Sequence, residues 1–377
     1  MRNPSTLILA LLATALPAAA AAQQNLFPEG TAAAGVEVRQ YSFGDGFGVD
    51  KLRQIAVPFG VVIPLGKRFS FDIGAAYATT TVVDTTSAHN SQSFSSLTDT
   101  QLRGSYTIGN DALVVSVMMN LPTGKETTTL SQFGVAASAS SNFLLFPVNT
   151  YGSGFSVTPG VAAATSVGDW NLGIAGSVRI NSSYTPFSDP SAKGVTYKPG
   201  VETRIRGGVD HLIGSSRLTA GLTFSTFSND ELRGGGFGSG AYDPGNRFLI
   251  DLGLVSPVAG GTLGLYAWNY YRSSSGSADS LSAAGPRENV FTAGVSGSWP
   301  ISSTMSLEPV AEARLWSPTG GTGNLFGLGT ALRIRIAKQW TFLPSVRGDL
   351  GKIRSPGTAT SLSINGWDAG AVLRYGF

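Results

Sequence analysis

Apolar and polar side chains alternate along most of this chain. From Phe326 to Ile336 the even positions are mainly phenylalanine, leucine and isoleucine, whereas the odd positions are glycine, alanine and arginine. Segments 54–65, 69–77 and 170–181 show the same period of two. This period is typical of β-strands with one apolar face. It predicts an all-β protein of about 16 strands, or about 14 if two of the segments belong to loops.

The connections between these strands alternate between short and long. The short ones are 66–67, 109–111, 168–169, 214–216, 259–261, 302–304 and 338–339. The long ones are 44–52, 84–97, 123–153, 185–197, 229–245, 274–286, 317–324 and 353–362. A soluble β-sandwich also alternates apolar and polar faces, but nothing makes its loop lengths alternate. The pattern therefore predicts a transmembrane antiparallel up-and-down β-barrel, with short turns at one end and long loops at the other.

Composition supports this fold. Charged residues make up only 13% of the chain, about half the usual share of a soluble domain. Aromatic residues are predicted at two levels, as in the girdles at the two membrane interfaces. The set beside short turns is Phe69, Trp170, Trp299, Trp340 and Tyr375, and the set near long loops is Phe155, Phe248, Phe291 and Trp367. A net charge of +3 gives no indication of a nucleic-acid partner.

The N-terminal residues predict export. Arg2 precedes the apolar run 7–16, and Ala20 to Ala22 form a site of the kind cleaved by signal peptidase. The run is too short to cross a bilayer as a helix. We expect residues 1–22 to be a signal peptide for the general secretory route and 23–377 to be a single barrel domain. Its expected location is the outer membrane of a Gram-negative-type bacterium, in contact with lipid.

The C-terminal segment resembles the last strand of bacterial outer-membrane barrels. Ala371, Leu373, Tyr375 and Phe377 share one face and alternate with Val372, Arg374 and Gly376. In those barrels a terminal phenylalanine is the signal for the barrel-assembly machinery, which makes Phe377 the expected contact with that machinery.

Three prolines conflict with the strand pattern. Pro159, Pro309 and Pro344 fall within predicted strands, although proline lacks the N–H that a ladder needs. We expect them at bulges or strand ends.

The inward face carries most of the charge. A barrel of this size leaves room for an aqueous passage. The predicted inward cations are Arg39, Arg103, Arg179, Arg204, Arg206, Arg247, Arg272, Arg314, Arg333, Arg335, Arg347 and Arg374. The predicted inward anions are Glu37, Asp72, Asp99, Glu202, Asp210, Asp251, Glu308, Glu312, Asp349 and Asp368. The pairs Arg204–Arg206 and Arg333–Arg335 either favour anionic solutes or take part in structural ion pairs with wall carboxylates.

Two apolar features are further candidates for lining or narrowing the lumen. Tyr266, Trp268 and Tyr270 occupy alternate positions, so they form either an aromatic track in the lumen or, after a register shift, an interfacial cluster. Loop 123–153 contains the run Phe143, Leu144, Leu145 and Phe146. Four adjacent apolar residues predict a constriction folded into the mouth, a landing patch for apolar ligands, or a helical turn packed on the rim.

The residues do not indicate an enzyme or a cofactor. The two histidines are His89, in an outside loop, and His211, near a short turn on the apolar side, so neither supplies the catalytic constellation of a barrel lipase or protease. The chain has no cysteine for a metal site. The glycines around Asp45 precede no helix that would hold a phosphate, so no nucleotide site is predicted.

Three short segments resemble one family of outer-membrane barrels. They are Thr98 to Tyr106, Asn120 to Lys125, and Pro147 to Gly154. They are similar to segments of the barrels associated with degradation of phenol and other aromatic compounds by the meta pathway, whose wider relatives are hydrocarbon uptake channels. The resemblance implies a barrel that admits small, often apolar, molecules. The short stretch between Gln23 and the first strand departs from the wider group, whose members carry an N-terminal plug.

The sequence therefore predicts an outer-membrane channel for passive passage of small solutes, aromatic or other apolar compounds among them. The alternative is a structural or interaction barrel with a closed lumen and partner-binding outside loops. The residues leave the oligomeric state and the identity of the solute open.

Overall fold

A computed structural model describes residues 30–85, 90–109, 112–192, 194–234, 240–277, 286–357 and 359–377. The predicted signal peptide and His89 lie outside these residues. Sixteen long strands form the body of the protein. They are β1 (Thr31–Phe43), β2 (Val49–Leu65), β3 (Phe69–Asp84), β4 (Ser91–Leu97 and Thr100–Ile108), β5 (Leu113–Leu121), β6 (Ser156–Val167), β7 (Trp170–Asn181), β8 (Glu202–Ile213), β9 (Ser216–Phe227), β10 (Arg247–Val258), β11 (Gly261–Arg272), β12 (Glu288–Pro300), β13 (Met305–Trp316), β14 (Thr322–Arg335), β15 (Trp340–Arg354) and β16 (Leu362–Gly376).

The sheet closes on itself. Each strand pairs antiparallel with the next along the chain, and β1 pairs with β16 from Thr31 opposite Gly376 to Phe43 opposite Ile364. Closure leaves the sheet without an edge, as a sheet in a lipid bilayer requires, because no water is present there to bind free backbone N–H and C=O groups. The prediction of a 16-strand antiparallel up-and-down barrel is thereby confirmed, and the count of 14 is wrong.

Short turns join the strands at one end and long loops at the other, as the sequence predicted. At the long-loop end, three loops supply a separate four-stranded sheet made of Thr196–Lys198, Asp230–Arg233, Gly240–Asp243 and Gly276–Ser277. A 3-10 turn (Pro190–Ala192) lies in the first of these loops, and helix α1 (Leu130–Ala139) lies in the connection between β5 and β6.

The outer face of the barrel is apolar. Leu328, Leu350 and Ile174 leave 71%, 65% and 60% of their surface exposed, which fits side chains that face lipid. The alternate positions of the same strands turn inward, and the large buried side chains meet along one part of the inner wall.

Among the described residues, no helix is both long and apolar enough to cross a membrane.

The three prolines lie inside strands without bulges. Val157 pairs with Ile180 and Gly160 with Ser177, so the register on either side of Pro159 is the same. The register is likewise unchanged past Pro309 and Pro344. The expectation of bulges or strand ends is wrong, because in an antiparallel ladder a residue bonds to one neighbour only and the missing N–H interrupts one rung.

Candidate functional site: a loop folded into the lumen

The connection between β5 and β6 folds into the barrel. It begins with α1, whose N-cap Thr129 and Gln132 form a reciprocal capping box that satisfies two of the helix's free N–H groups. The carboxylate of Asp189 accepts a third hydrogen bond, 2.7 Å from the backbone nitrogen of Leu130. The helix packs against β3 and the first segment of β4, with Val135 buried.

After the helix, the chain follows the inner wall and its carbonyl groups bind wall side chains. Arg314 Nη1 on β13 donates to the Phe143 carbonyl at 2.5 Å, and the Tyr41 hydroxyl on β1 donates to the Leu144 carbonyl at 2.9 Å. Arg39 on β1 donates to the Leu145 carbonyl. A buried loop must satisfy its backbone polar groups, and here the barrel wall supplies the donors.

The apolar run lies buried between the loop and the wall. Phe143, Leu144, Leu145 and Phe146 retain at most 6% of their exposure. Phe143 stacks on Trp316 at 5.5 Å between ring centroids, and Phe146 meets the Tyr41 ring edge-on at 5.6 Å. Leucine and isoleucine side chains of β14, β15 and β16 complete this cluster. The four side chains therefore do not form an exposed landing patch.

The return segment is bound to β2 and β3. The side-chain amide of Gln54 binds both polar groups of the Val148 backbone, accepting from the nitrogen at 2.8 Å and donating to the carbonyl at 2.7 Å. The Tyr151 hydroxyl bonds to the Thr80 hydroxyl. Between residues 142 and 153 the loop thus contacts or packs against β12 to β16 and β1 to β4.

Asp99 holds the base of the loop. It lies in the interruption of β4, and its carboxylate accepts hydrogen bonds from the Gly124 and Ser153 backbone nitrogens, at 3.2 and 2.8 Å. Its own nitrogen donates to the Tyr151 carbonyl at 2.9 Å. The two ends of the loop lie so close together here that a Cβ on Gly124 or Gly152 would lie within 3.0 Å of opposing backbone atoms. The three segments that carry the family resemblance all meet here.

Weakening this anchor should loosen the loop. Asp99→Asn removes the charge behind two backbone hydrogen bonds, which costs about 2 kcal/mol. Trypsin cleavage after Lys125, measured on refolded protein, should accelerate about thirtyfold because the open population sets the rate. Asp169→Asn, in a short turn at the other end, is the control and should leave cleavage unchanged. Equal rates in wild type and Asp99→Asn would show that the carboxylate does not hold the loop.

Ion pairs account for most of the predicted cationic positions. Arg204 pairs with Glu202 at 2.7 Å, Arg206 with Asp251 at 3.0 Å and Arg333 with Glu308 at 2.6 Å. Within the part of the chain that the structure describes, Arg335 has no ion pair and lies exposed at the short-turn end. Three of the four residues in the Arg-x-Arg pairs thus follow the ion-pairing interpretation.

Glu312 is the centre of a larger network. Its carboxylate binds Arg314 at 2.5 Å, Arg347 at 2.9 Å and the Tyr266 hydroxyl at 2.9 Å. Arg347 also binds Asp349 at 2.8 Å. Because Arg314 also donates a hydrogen bond to the Phe143 carbonyl, this network connects the wall to the loop.

The aromatic residues of β11 face inward. Tyr270 packs against Leu249, Val290 and Trp268, and the register of β10 with β11 runs without a shift from Arg247 to Val258. The register-shift alternative is therefore wrong, and Tyr266, Trp268 and Tyr270 share the inner face with Arg272.

The described part of the chain contains no group of His, Cys, Asp and Glu side chains arranged to hold a metal ion. His211 stacks on Trp170, with ring centroids 4.0 Å apart, and its Nδ1 lies 3.1 Å from the Asp169 carbonyl. This histidine is part of the aromatic level beside the short turns.

Sequence reasoning missed two of the residues that position the loop. Tyr41 and Gln54 lie on inward faces near the long-loop end, and each contacts a loop residue about a hundred positions away. The inward phase of β1 and β2 was predictable, but alternation carries no information on the route that a loop takes across the lumen.

No family model and no curated protein matches this chain. Solved structures are similar in fold. OprB of Pseudomonas putida is 10% identical, with 92% of this chain and 94% of that chain covered and a TM-score of 0.48. The CymD monoaromatic hydrocarbon channel is 10% identical, with 100% and 93% covered and a TM-score of 0.45. An outer-membrane channel of Pseudomonas putida F1 is 13% identical, with 93% and 97% covered and a TM-score of 0.38. The likeness to these proteins is one of barrel architecture.

Proposed function

We propose that this protein is an outer-membrane channel for passive passage of small solutes, and that loop 123–153 narrows its lumen. The observation that carries the proposal is the row of hydrogen bonds from Arg314, Tyr41, Arg39 and Gln54 to the loop backbone. A 16-strand barrel is wider than its side chains can fill. A loop fixed along half of the inner wall reduces that width and leaves the arc from β5 to β11 to face the passage.

Apolar and aromatic compounds are the solutes that we propose. At the long-loop end, Phe133 of α1 is half exposed, and its ring lies 5.4 Å from the Phe187 ring in an edge-on arrangement. Leu130 on the same helix is also exposed. Exposed apolar side chains beside a channel mouth offer a first contact for such solutes.

We further propose that Phe377 is recognised by the barrel-assembly machinery. Phe377 is 57% exposed, while its backbone nitrogen donates to the Gly30 carbonyl at 2.8 Å. Phe377 is thus fixed beside the start of the first strand, with its ring 6.1 Å from that of Tyr375. Export of the chain by the secretory route belongs to the same proposal.

The alternative function is a closed barrel whose outside loops bind a partner. The four-stranded loop sheet favours it, because three separate loops are joined there into one ordered surface.

Conductance separates the two functions. Refolded protein in planar bilayers should give discrete and stable current steps, since a constricted aqueous passage conducts ions. Liposome swelling across sugars, organic anions and aromatic acids then ranks the solutes. A folded barrel, identified by its faster migration on an unheated gel, that gives no current steps would support the closed scaffold instead.

A further inference from the structure

Five arginines of the inner wall lie on neighbouring strands near the long-loop end. They are Arg179 on β7, Arg204 and Arg206 on β8, Arg247 on β10 and Arg272 on β11. The carboxylates paired with members of this group are Glu202, Asp251 and Glu288. The arc therefore carries an excess of positive charge on the wall opposite the docked loop.

The strand register places three of these cations in one row. Arg204 lies opposite Ser225, Ser225 lies opposite Arg247, and Arg247 lies opposite Arg272. Neighbouring strands are about 4.8 Å apart. Like charges directly opposite each other in an antiparallel pair are destabilising, so the Arg247–Arg272 pair calls for a compensating anion.

The protein supplies little of that compensation. Glu288 lies 3.7 Å from Arg272, because its two oxygens are already bound at 2.9 Å by Trp316 Nε1 and Asn142 Nδ2. Arg247 has no ion pair among the residues that the structure describes, and its guanidinium lies 4.5 Å from the centre of the Phe227 ring. The Nε atoms of Arg247 and Arg272 are both buried without a hydrogen-bond partner.

We propose that Arg247 and Arg272 form a binding site for the carboxylate of a small organic acid. The inference rests on the proposed channel function and adds a solute class to it. Guanidinium groups bind carboxylates through paired, charge-assisted hydrogen bonds, and two neighbouring guanidinium groups hold one carboxylate between them.

The position of the loop exposes this site to the passage. Asn142 binds Glu288 on β12 and lies beside Tyr270, and from there the loop follows β13 to β16 and β1 to β4, away from β10. Trp268 lies on the same face of β11 as Arg272 and is only partly buried, so the organic part of the acid meets an aromatic ring below the carboxylate. Arg204, which is paired with Glu202, continues the same row.

Benzoate is the probe for this site, and benzamide is its neutral counterpart. Millimolar benzoate should reduce the potassium chloride conductance of wild-type channels, whereas benzamide should leave it unchanged. In Arg247→Gln/Arg272→Gln the half-blocking benzoate concentration should rise about tenfold, the loss expected for a charge-assisted contact. Arg103→Gln/Arg217→Gln removes two cations nearer the short turns and should keep the wild-type value.

The outcomes separate this inference from the channel function. Current steps with equal benzoate block in wild type and Arg247→Gln/Arg272→Gln would overturn the carboxylate site and leave the channel intact. If wild type gives no current steps, the channel function fails, and calorimetric titration of benzoate into the folded protein in detergent tests the site without conduction. Equal heats for wild type and the double variant would overturn it. Faster migration on an unheated gel shows that each variant is folded.

Discussion

Deletion of residues 126–148 raises the single-channel conductance about threefold or more, because a 16-strand barrel freed of its inner loop has the width of an open porin. The deleted segment contains α1 and the buried run 143–146, and it contributes nothing to the sixteen barrel strands. Lys125 already lies beside Gly152, three residues after the new junction: a Cβ on Gly152 would lie 2.8 Å from the Lys125 carbonyl. Joining Lys125 to Asn149 therefore leaves residues 149–151 to form a short turn at the loop base.

The measurement is the current step in planar bilayers at fixed salt, with wild type and deletion variant refolded in parallel. The hydrogen bonds of Asp99 to Gly124 and Ser153 remain in the deletion variant, so the base keeps its anchor. Faster migration on an unheated gel verifies that the barrel has closed. An unchanged current step from a closed barrel would exclude the loop as the element that limits conductance.

The barrel itself was predictable because two independent signals agree. Alternation along segments such as 326–336 defines the two faces of a strand, and the alternating loop lengths define the two ends of the barrel. Neither signal depends on contacts between distant residues. The prolines were predicted wrongly because a missing N–H at Pro309 interrupts one rung without changing the register.

The site was less predictable because distant partners determine it. The apolar run 143–146 indicated that the loop needs cover, but its position depends on Arg314 and Arg39, 171 and 106 residues away from their partners in the loop. The Arg-x-Arg spacing likewise indicated Arg204 and Arg206 as candidate sites for anionic solutes, but wall carboxylates neutralise both side chains. Arg247 is placed opposite Arg272 by the pairing of β10 with β11, and neither residue has a distinctive sequence neighbourhood.

Replacing both arginines that bind the loop should release it without opening the barrel. Arg39→Met/Arg314→Met removes the donors to the Leu145 and Phe143 carbonyls. Arg314 is 4% exposed, and disrupting such a buried pair costs about 3 kcal/mol. Glu312 keeps Arg347 at 2.9 Å, so the barrel wall retains part of its network. We expect current steps that fluctuate between the wild-type level and the level of the deletion variant.

The control Arg217→Met/Arg333→Met removes two cations that pair with Asp210 and Glu308 within the wall. It should give steady wild-type steps, because these pairs hold the wall rather than the loop backbone. The comparison also separates the two forces that hold the loop. If Arg39→Met/Arg314→Met conducts as steadily as wild type, burial of Phe143 and Phe146 against Trp316 and Tyr41 is sufficient to keep the loop docked. Fluctuation in Arg39→Met/Arg314→Met but not in the control would show that the apolar cluster alone does not keep the loop docked. The reason is that unpaired carbonyls in a buried loop favour release of the loop into water.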